Sequence, residues 1–304
     1  MIDAPVLPIA SVHSGRRAGD FLMLCKPRVV AMVLVTTAVG YYLGGTSAPL
    51  DYGRLLSTLI GTALAAGGTL ALNEYLERDS DALMHRTRDR PLPAGRLQPL
   101  DALTFGALLS ASGLVYLTLA VDYLPALVTA FTTVSYLFAY TPLKSRTPLC
   151  SIVGAVPGAL PPLTGWAAAR GSLGAEAWVL FAIMFLWQIP HSLAIACLYR
   201  DDYARAGIRL LPVVEPDGSS TGRHVLSNSL ALLMVALMPT MLGLAGTVYF
   251  CVAFVLGIGL VVVAARLART PSRETARRLL FASLVYLPVL LLVMAADKLP
   301  VSPW

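Results

Sequence analysis

Apolar segments of about 20 residues recur along the chain and alternate with short polar connections, a pattern typical of membrane-crossing helices. A helix of this length spans a hydrocarbon core of ~30 Å. We identify such segments at residues 27–45, 54–76, 101–120, 123–141, 150–169, 175–198, 224–245, 248–266 and 278–297. The pattern therefore predicts an all-α polytopic membrane protein with nine transmembrane helices.

The composition supports this fold class. Hydrophobic residues make up 57% of the 304 residues and charged residues only 13%, which is about half the charged fraction of a soluble domain. No low-complexity linker separates the apolar segments. We therefore predict a single transmembrane domain over residues 1–304, in which residues 1–20 form a flexible cytoplasmic tail.

Basic residues fall on alternate connections, and this predicts the orientation of the chain. Of the 23 lysine and arginine residues, all except Arg54, Arg170 and Lys298 lie on the side that holds the N-terminus. Because basic connections remain in the cytoplasm, we predict a cytoplasmic N-terminus and an external C-terminus. The net charge of +6 follows from this topology and does not indicate nucleic-acid binding. The first 20 residues lack the apolar region of a secretory signal and resemble a presequence only faintly, so we expect a bacterial inner (plasma) membrane.

Polar side chains are concentrated where the second predicted helix meets the membrane surface. Asn73, Glu77 and Asp81 follow one another at intervals of four residues, so they share one helical face over roughly 12 Å. Oxygen ligands of this kind suit Mg²⁺, which binds one or two carboxylates together with water and phosphate oxygens. We predict a magnesium site here; the alternative is a solvent-exposed helix end whose acids pair with arginines.

The arginines that follow this helix fit the same chemistry. Arg86 and Arg90 come within ten residues of Asp81, and guanidinium groups bind phosphate oxygens in bidentate fashion. Tyr140 and two further basic residues, Lys144 and Arg146, lie at the end of the fourth predicted helix. We predict that all five bind a diphosphate, although anchoring at the membrane interface explains the last three almost as well. Lys26 and Arg28, at the start of the first helix, are interpreted as anchors.

A second polar group lies in and after the sixth predicted helix. Gln188 and His191 share one helical face, and Asp202 is three turns further on and nearly in phase. Pro190 removes a backbone N–H between them. Ionisable residues inside a membrane helix indicate function by default, although a single histidine is more often a packing residue. We predict that this group contributes to the same site.

Three long motifs resemble those of a known family. The stretch "NEYLERDSDALMHRTRDRPLPAG", residues 73–95, resembles the first Asp-rich motif of the UbiA superfamily of intramembrane prenyltransferases. The stretches "YTPLKSRTPLCSIVGAVPGALPPLTGW" and "WQIPHSLAIACLYRDDYARAGI" resemble the branch that farnesylates protohaem IX. The resemblance covers about residues 26–212, and the later helices agree only in number and hydrophobicity.

This resemblance implies a nine-helix UbiA-type bundle around a central cavity, with the active site on the cytoplasmic side. The implied reaction transfers farnesyl from farnesyl diphosphate to a vinyl group of haem B, with addition of water, to give haem O. Asn73, Glu77 and Asp81 match the first metal–diphosphate motif, and Asp202 matches the acid of the second loop. Both sets are expected to be catalytic and to bind Mg²⁺. The second loop lacks a complete DxxxD, which weakens the expectation of a second magnesium site. His191 and Gln188 are expected to bind the haem acceptor.

Other functions are compatible with parts of this sequence. A UbiA-type enzyme that prenylates an aromatic quinone precursor would share the first motif. A secondary transporter also has bent helices and polar residues in the membrane, but its sites lie near the midplane. A structural haem-trafficking subunit would not need a diphosphate site. Association with a haem A-forming enzyme (haem A synthase) is a further possibility that the sequence leaves open.

Overall fold

The computed structural model describes residues 14–45 and 50–300. In that part of the chain, nine helices are long and apolar enough to cross a membrane, as the sequence predicts. They are Pro27–Gly44, Tyr52–Ala82, Pro99–Ala120, Tyr123–Leu143, Cys150–Arg170, Ala175–Leu198, Ser219–Met241, Thr247–Arg269 and Arg273–Ala296. The predicted all-α class is thus confirmed.

Several spans are built from more than one helical piece. Numbered in chain order, the helices are α1 (Ser14–Leu24), α2 (Pro27–Gly44), α3 (Tyr52–Ala82), α4 (Pro99–Ala120), α5 (Tyr123–Val134), α6 (Thr141–Leu143), α7 (Cys150–Ala159), α8 (Pro161–Arg170), α9 (Ala175–Leu198), α10 (Arg200–Arg205), α11 (Leu211–Val214), α12 (Ser219–Val235), α13 (Met238–Met241), α14 (Thr247–Arg269) and α15 (Arg273–Ala296). A π-helix, Ser135–Tyr140, joins α5 to α6 in the fourth span. The fifth span consists of α7 and α8, and the seventh of α12 and α13.

The start of the chain differs from the predicted flexible tail over residues 1–20. Residues 14–20 belong to α1, and the side chain of Asp20 is buried, where its carboxylate accepts a hydrogen bond of 2.9 Å from Nε of Arg96. This ion pair ties α1 to the segment that follows α3. Residues 1–13 lie outside the described residues, and the prediction for them stays untested.

Small residues allow two pairs of helices to pack at backbone contact. A Cβ atom built on Gly165 of α8 would overlap the carbonyl oxygen of Thr37 on α2, and one built on Gly40 would overlap the carbonyl oxygen of Pro162. Gly113 of α4 packs in the same way against the backbone of α3 at Ala65. In a membrane, where lipid is as apolar as leucine, such close van der Waals packing drives helix association.

Large apolar side chains cover much of the outside of the bundle. Leu108 and Leu119 on α4, Phe138 in the π-helix and Met241 on α13 are each more than 70% exposed. A soluble protein rarely exposes apolar surface of this extent. The outer surface is therefore suited to contact with lipid tails.

We call the end of the bundle where α2 begins and α3 ends the basic end. Helix α3 continues six residues beyond its predicted boundary at residue 76, so it carries the acidic side chains to this end within one unbroken helix. Beyond the end of α3, the hydroxyl of Thr87 donates a 2.8 Å hydrogen bond to the carbonyl oxygen of Asp81 in the last turn of the helix. At the opposite end, the ammonium group of Lys298 donates to the carbonyl oxygens of Tyr42 and Gly45. That the basic end faces the cytoplasm stays a prediction.

Candidate active site

A cavity of about 250 Å³ lies at the basic end of the bundle, and we call it the basic-end cavity. Its walls come from the start of α2, the second half of α3 and the loop after it, the π-helix with the residues after it, and α10 with the segment that follows it. The lining residues are Lys26, Val29, Leu70, Asn73, Glu77, Asp81, Met84, Arg86, Arg90, Tyr136, Tyr140, Lys144, Tyr203, Ile208 and Leu210. Most of the polar residues singled out in the sequence therefore meet in one place.

The unbroken α3 helix presents Asn73, Glu77 and Asp81 to this cavity. Asn73 and Asp81 are buried, and the side chain of Glu77 is only 15% exposed. The shared face expected from the four-residue spacing is confirmed. By contrast, the side chain of Asp79 is 88% exposed and does not line the cavity, as its position on an ideal helix requires.

Each of these three oxygen-bearing side chains contacts a cation. Nζ of Lys26 donates to Oδ1 of Asn73 at 3.1 Å, and Nζ of Lys144 donates to Oε1 of Glu77 at 2.6 Å. Nη1 of Arg90 donates to Oδ2 of Asp81 at 2.7 Å. Three partly buried cations thus line one cavity, and burial strengthens their attraction for an anion.

The two lysines respond differently to their burial. Burial, together with the neighbouring Arg90, lowers the pKa of Lys26 to about 8. Burial also disfavours the charged form of Lys144, but Tyr140 and Glu77 raise the pKa of Lys144 well above its ordinary value. Lys144 therefore keeps its positive charge to a higher pH than Lys26 does.

Glu74 and Lys26 belong to this charged group, although the sequence interpretation gave neither a role in it. Oε1 of Glu74 lies 3.7 Å from Nζ of Lys26 and 3.6 Å from Nε of Arg90. Lys26 was interpreted as an anchor, yet it adopts a left-handed backbone conformation with φ of 48° and its side chain lines the cavity. Glu74 is seven residues before Asp81, which is nearly two helical turns. This seven-residue spacing is the feature of the sequence from which Glu74 could have been assigned to the same group.

The donor set fits a hard divalent cation. Lys144 donates to Oε1 of Glu77, and Arg90 donates to Oδ2 of Asp81. The other oxygen of each carboxylate takes no part in these two hydrogen bonds. Two carboxylates and an amide oxygen on one face suit Mg²⁺ when water and phosphate complete the shell. Within residues 14–45 and 50–300, no three acidic, histidine or cysteine side chains gather closely enough to bind a metal by themselves. The arrangement therefore fits a metal held jointly with an anionic ligand.

Aromatic rings hold two of the predicted diphosphate-binding cations. The guanidinium of Arg86 lies 5.2 Å from the ring centroid of Tyr199 and donates a 3.4 Å hydrogen bond to the hydroxyl of Tyr203. The ammonium of Lys144 lies 4.5 Å from the ring centroid of Tyr140. Tyr140 in turn rests on Gly154 of α7, where a Cβ atom would meet its ring. These contacts orient both cations toward the cavity.

Asp202 and Arg146, which were also predicted to belong to the site, do not line the basic-end cavity. Helix α9 ends at Leu198, and Asp202 lies in the separate helix α10, so the assumption of one continuous helix from His191 to Asp202 was wrong. Asp202 forms an ion pair with Arg205 instead, and its neighbour Tyr203 lines the cavity. Arg146 is exposed and is absent from the lining.

Gln188 and His191 lie on α9, away from the lining of the basic-end cavity. The amide of Gln188 donates to the carbonyl oxygen of Met184 at 3.1 Å and packs against Gly158. The ring of His191 stacks on Trp187, and Nδ1 lies 2.8 Å from the hydroxyl of Ser283 on α15. The expected convergence with the acidic group is therefore not observed.

A second cavity, of about 150 Å³, adjoins the first and is mainly apolar; we call it the apolar cavity. The two cavities share Val29, Leu70 and Tyr136 as lining residues. The remaining lining residues of the apolar cavity are Val33, Thr62, Ala66, Thr69, Thr129, Thr132, Thr133, Pro157, Gly158, Pro161 and Thr164. The fifth span thus contributes its Pro- and Gly-rich stretch to the wall. A cavity lined by several cations thus lies next to a mainly apolar one.

Comparison with known proteins identifies the family. The model of the UbiA prenyltransferase family matches residues 33–285. A curated protein named protoheme IX farnesyltransferase from Solibacter usitatus is 47% identical over 287 residues, which cover 92% of this chain and 98% of the relative. Proteins of the same name from Koribacter versatilis and Myxococcus xanthus are 44% and 43% identical, over 92% and 93% of this chain and 93% and 96% of theirs.

Solved structures share the fold at low sequence identity. A digeranylgeranylglyceryl phosphate synthase aligns with a TM-score of 0.79 at 16% identity, covering 93% of this chain and 98% of its own. A UbiA homologue from Archaeoglobus fulgidus, bound to GPP and Mg²⁺, aligns with a TM-score of 0.65 at 14% identity over 91% of this chain and 99% of its own. The resemblance inferred from the motifs is confirmed: the chain belongs to the UbiA prenyltransferase family.

Proposed function

We propose that this membrane prenyltransferase transfers the farnesyl group of farnesyl diphosphate to a vinyl group of haem B, with addition of water, giving haem O and diphosphate. The junction of the basic-end cavity with the apolar cavity carries the proposal. A diphosphate with an isoprenoid tail needs a charged and an apolar environment side by side. The choice of haem B as acceptor is supported by relatives that are named protoheme IX farnesyltransferase.

The diphosphate is proposed to bind among the cations of the basic-end cavity. Lys26, Arg90 and Lys144 converge there on the α3 oxygens, and Arg86 approaches from the loop after α3. Bound diphosphate would exchange some of these internal ion pairs for contacts with its own oxygens. Tyr140 supports the group by holding Lys144.

Asn73, Glu77 and Asp81 are proposed to hold Mg²⁺ together with the diphosphate. The oxygen donors on one face of α3 support this assignment, as does the Archaeoglobus fulgidus homologue, which was solved with GPP and Mg²⁺. When bound, the ion supplies positive charge at the leaving diphosphate. Asp202 and Arg146 are left out of this assignment, because they do not line the cavity.

The chemistry follows from where charge develops. Cleavage of the allylic C–O bond leaves the electron pair on diphosphate, and the lysines and arginines of the cavity stabilise that charge. The resulting farnesyl cation lies in the apolar cavity, whose walls exclude water. The π electrons of the haem vinyl group then form the new C–C bond. Water adds to the cation next to the porphyrin and releases one proton.

We propose that the enzyme lies in the bacterial inner membrane with the basic-end cavity on the cytoplasmic side. The positive-inside rule supports this orientation, since the cavity is at the end that carries most lysine and arginine residues. Both substrates then reach the site from the cytoplasm or from the inner leaflet. The C15 tail enters the bundle from the membrane surface.

The proposal predicts a specific product. Purified protein in detergent, supplied with haem B, farnesyl diphosphate and Mg²⁺, should yield a porphyrin whose mass has increased by one farnesyl group and one hydroxyl group, as shown by mass spectrometry. Removal of divalent ions with EDTA should stop the reaction, and added Mg²⁺ should restore it. Unmodified haem B, together with prenylation of an aromatic acid supplied in parallel, would instead indicate the quinone-precursor reaction.

The role of His191 in haem binding stays a prediction, and its geometry suggests a test. The hydroxyl of Ser283 donates to the carbonyl oxygen of Leu280 at 2.7 Å, so it accepts from Nδ1–H of His191, and Nε2 keeps its lone pair for iron. We expect His191→Ala to reduce haem-B affinity at least about tenfold and to alter the haem absorption spectrum. Ser283→Ala, which keeps the imidazole, should alter both less. Unchanged spectrum and affinity in His191→Ala would exclude iron ligation and assign the histidine to packing on Trp187.

A further inference from the structure

Three threonines form the end of the apolar cavity that lies farthest from the charged residues. Thr62 on α3, Thr129 on α5 and Thr164 on α8 are the lining residues nearest the opposite end of the bundle on their respective helices. The hydroxyl oxygens of Thr129 and Thr164 are 3.3 Å apart. We call these three residues the threonine floor.

Two threonines higher in the cavity have hydrogen-bond partners within the protein. The hydroxyl of Thr69 donates to the carbonyl oxygen of Ala65 at 2.7 Å, and that of Thr132 donates to the carbonyl oxygen of Val128 at 2.8 Å. Each hydroxyl is therefore bonded to the backbone of its own helix. The wall of the cavity between the charged site and the floor is thus suited to a hydrocarbon chain.

Thr62 differs from these wall residues. Its side chain is buried, with only 3% of the residue exposed, and its hydroxyl has no hydrogen-bond partner among the described residues. A buried hydroxyl without a partner is unfavourable unless it binds water or a ligand. Thr129 resembles the wall residues, because its hydroxyl donates to the carbonyl oxygen of Pro125 at 2.8 Å, and Thr164 has Thr129 as a neighbour. Thr62 is therefore the floor residue with an unsatisfied hydroxyl at the end of the cavity.

The distance from the charged site to the floor matches a short isoprenoid. Along α3, the rise of 1.5 Å per residue places Thr62 about 16 Å from Asn73. This is close to the extended length of three isoprene units. A chain of two units would leave the deep part of the cavity empty, and a chain of four would press its last unit against the threonine hydroxyls.

We propose that the threonine floor, and Thr62 in particular, determines the length of prenyl chain that the enzyme accepts. The inference rests on the proposed function, because it assigns the apolar cavity to the tail of the prenyl donor. A larger residue at position 62 would shorten the space, and a smaller one would extend it. The two changes should therefore shift chain-length preference in opposite directions.

The test compares kcat/KM for geranyl, farnesyl and geranylgeranyl diphosphate, with haem B as acceptor, in two variants. Thr62→Leu should raise the C10-to-C15 ratio at least about tenfold, mainly by lowering the C15 value, on the scale of pocket discrimination by one or two methylenes. Thr62→Ala should raise the C20-to-C15 ratio at least about fivefold. Opposite shifts of this kind would not arise from general loss of fold, and continued use of C10 shows that Thr62→Leu is folded.

Thr118 on α4 provides a matched control. It is exposed on the outer surface, and its hydroxyl donates to the carbonyl oxygen of Leu114 at 2.9 Å. Thr118→Leu and Thr118→Ala should leave both ratios unchanged. Equal changes for all three donors in the Thr62 variants, or no change in either ratio, would overturn the inference. A wild-type enzyme that prenylates no haem with any donor would instead overturn the proposed function.

Discussion

Asp81→Asn should lower the rate of prenyl transfer at least about 100-fold, the scale seen when one group that acts on transition-state charge is removed. The substitution preserves the shape of the side chain and removes its charge. Asp81 is 2% exposed, lines the basic-end cavity and receives Nη1 of Arg90 at 2.7 Å. The loss should appear in the mass-spectrometric assay of the extracted porphyrin.

Asp79→Asn is the matched control, since it makes the same chemical change two residues away. The side chain of Asp79 is 88% exposed and contacts Arg78 at 3.7 Å. An exposed ion pair of this kind contributes little to stability. We expect turnover within about twofold of the wild-type rate, because surface ion pairs are worth at most ~1 kcal/mol. Wild-type turnover in Asp81→Asn would contradict the assignment of Asp81.

The dependence of activity on Mg²⁺ concentration separates two explanations for a loss of prenyl transfer in Asp81→Asn. If Asp81 binds the metal, Asp81→Asn should need a higher Mg²⁺ concentration for half-maximal activity. If Asp81 only holds Arg90 in place, the Mg²⁺ requirement should be unchanged and Arg90→Ala should lose as much activity. We expect the first outcome, because Oδ1 of Asp81 takes no part in the ion pair with Arg90.

The α3 part of the site could be predicted from sequence because it depends on local geometry. A four-residue spacing fixes the common face of Asn73, Glu77 and Asp81 as soon as the helix is assumed to continue. The helix does continue, to Ala82. Nine apolar segments likewise predict nine spans, because backbone groups in lipid must bond within their own helix.

The features of the site that were not predicted from the sequence depend on where a helix ends or on tertiary contacts. The phase between His191 and Asp202 required one helix, but α9 ends at Leu198. Lys26 precedes the first span by one residue, which is also where an anchor would lie, and only the fold brings it to Asn73 and Glu74. The apolar cavity joins residues of several helices, and no sequence spacing reports it.

Gly165→Ala should destabilise the protein strongly, because it adds a methyl group where two helices are in backbone contact. The new Cβ atom would overlap the carbonyl oxygen of Thr37 and approach the backbone N–H of Tyr41, so α2 and α8 would have to separate. Overpacking of this kind costs about 1–3 kcal/mol, and we expect the melting temperature in detergent to fall by more than about 5 °C. Gly40→Ala, which overlaps Pro162 at the same interface, should have a similar effect.

Gly259→Ala on α14 is the control, since nothing lies within 4 Å of the position of its Cβ atom. Alanine is favoured over glycine inside a helix by about 0.5–1 kcal/mol, so the melting temperature should stay the same or rise. Equal changes in melting temperature for Gly165→Ala and Gly259→Ala would show that the packing of α2 against α8 does not depend on this contact. Because α2 carries Val29 while α8 carries Thr164, separation of these helices would also widen the apolar cavity. Gly165→Ala should therefore lose turnover even below its melting temperature, whereas Gly259→Ala should not.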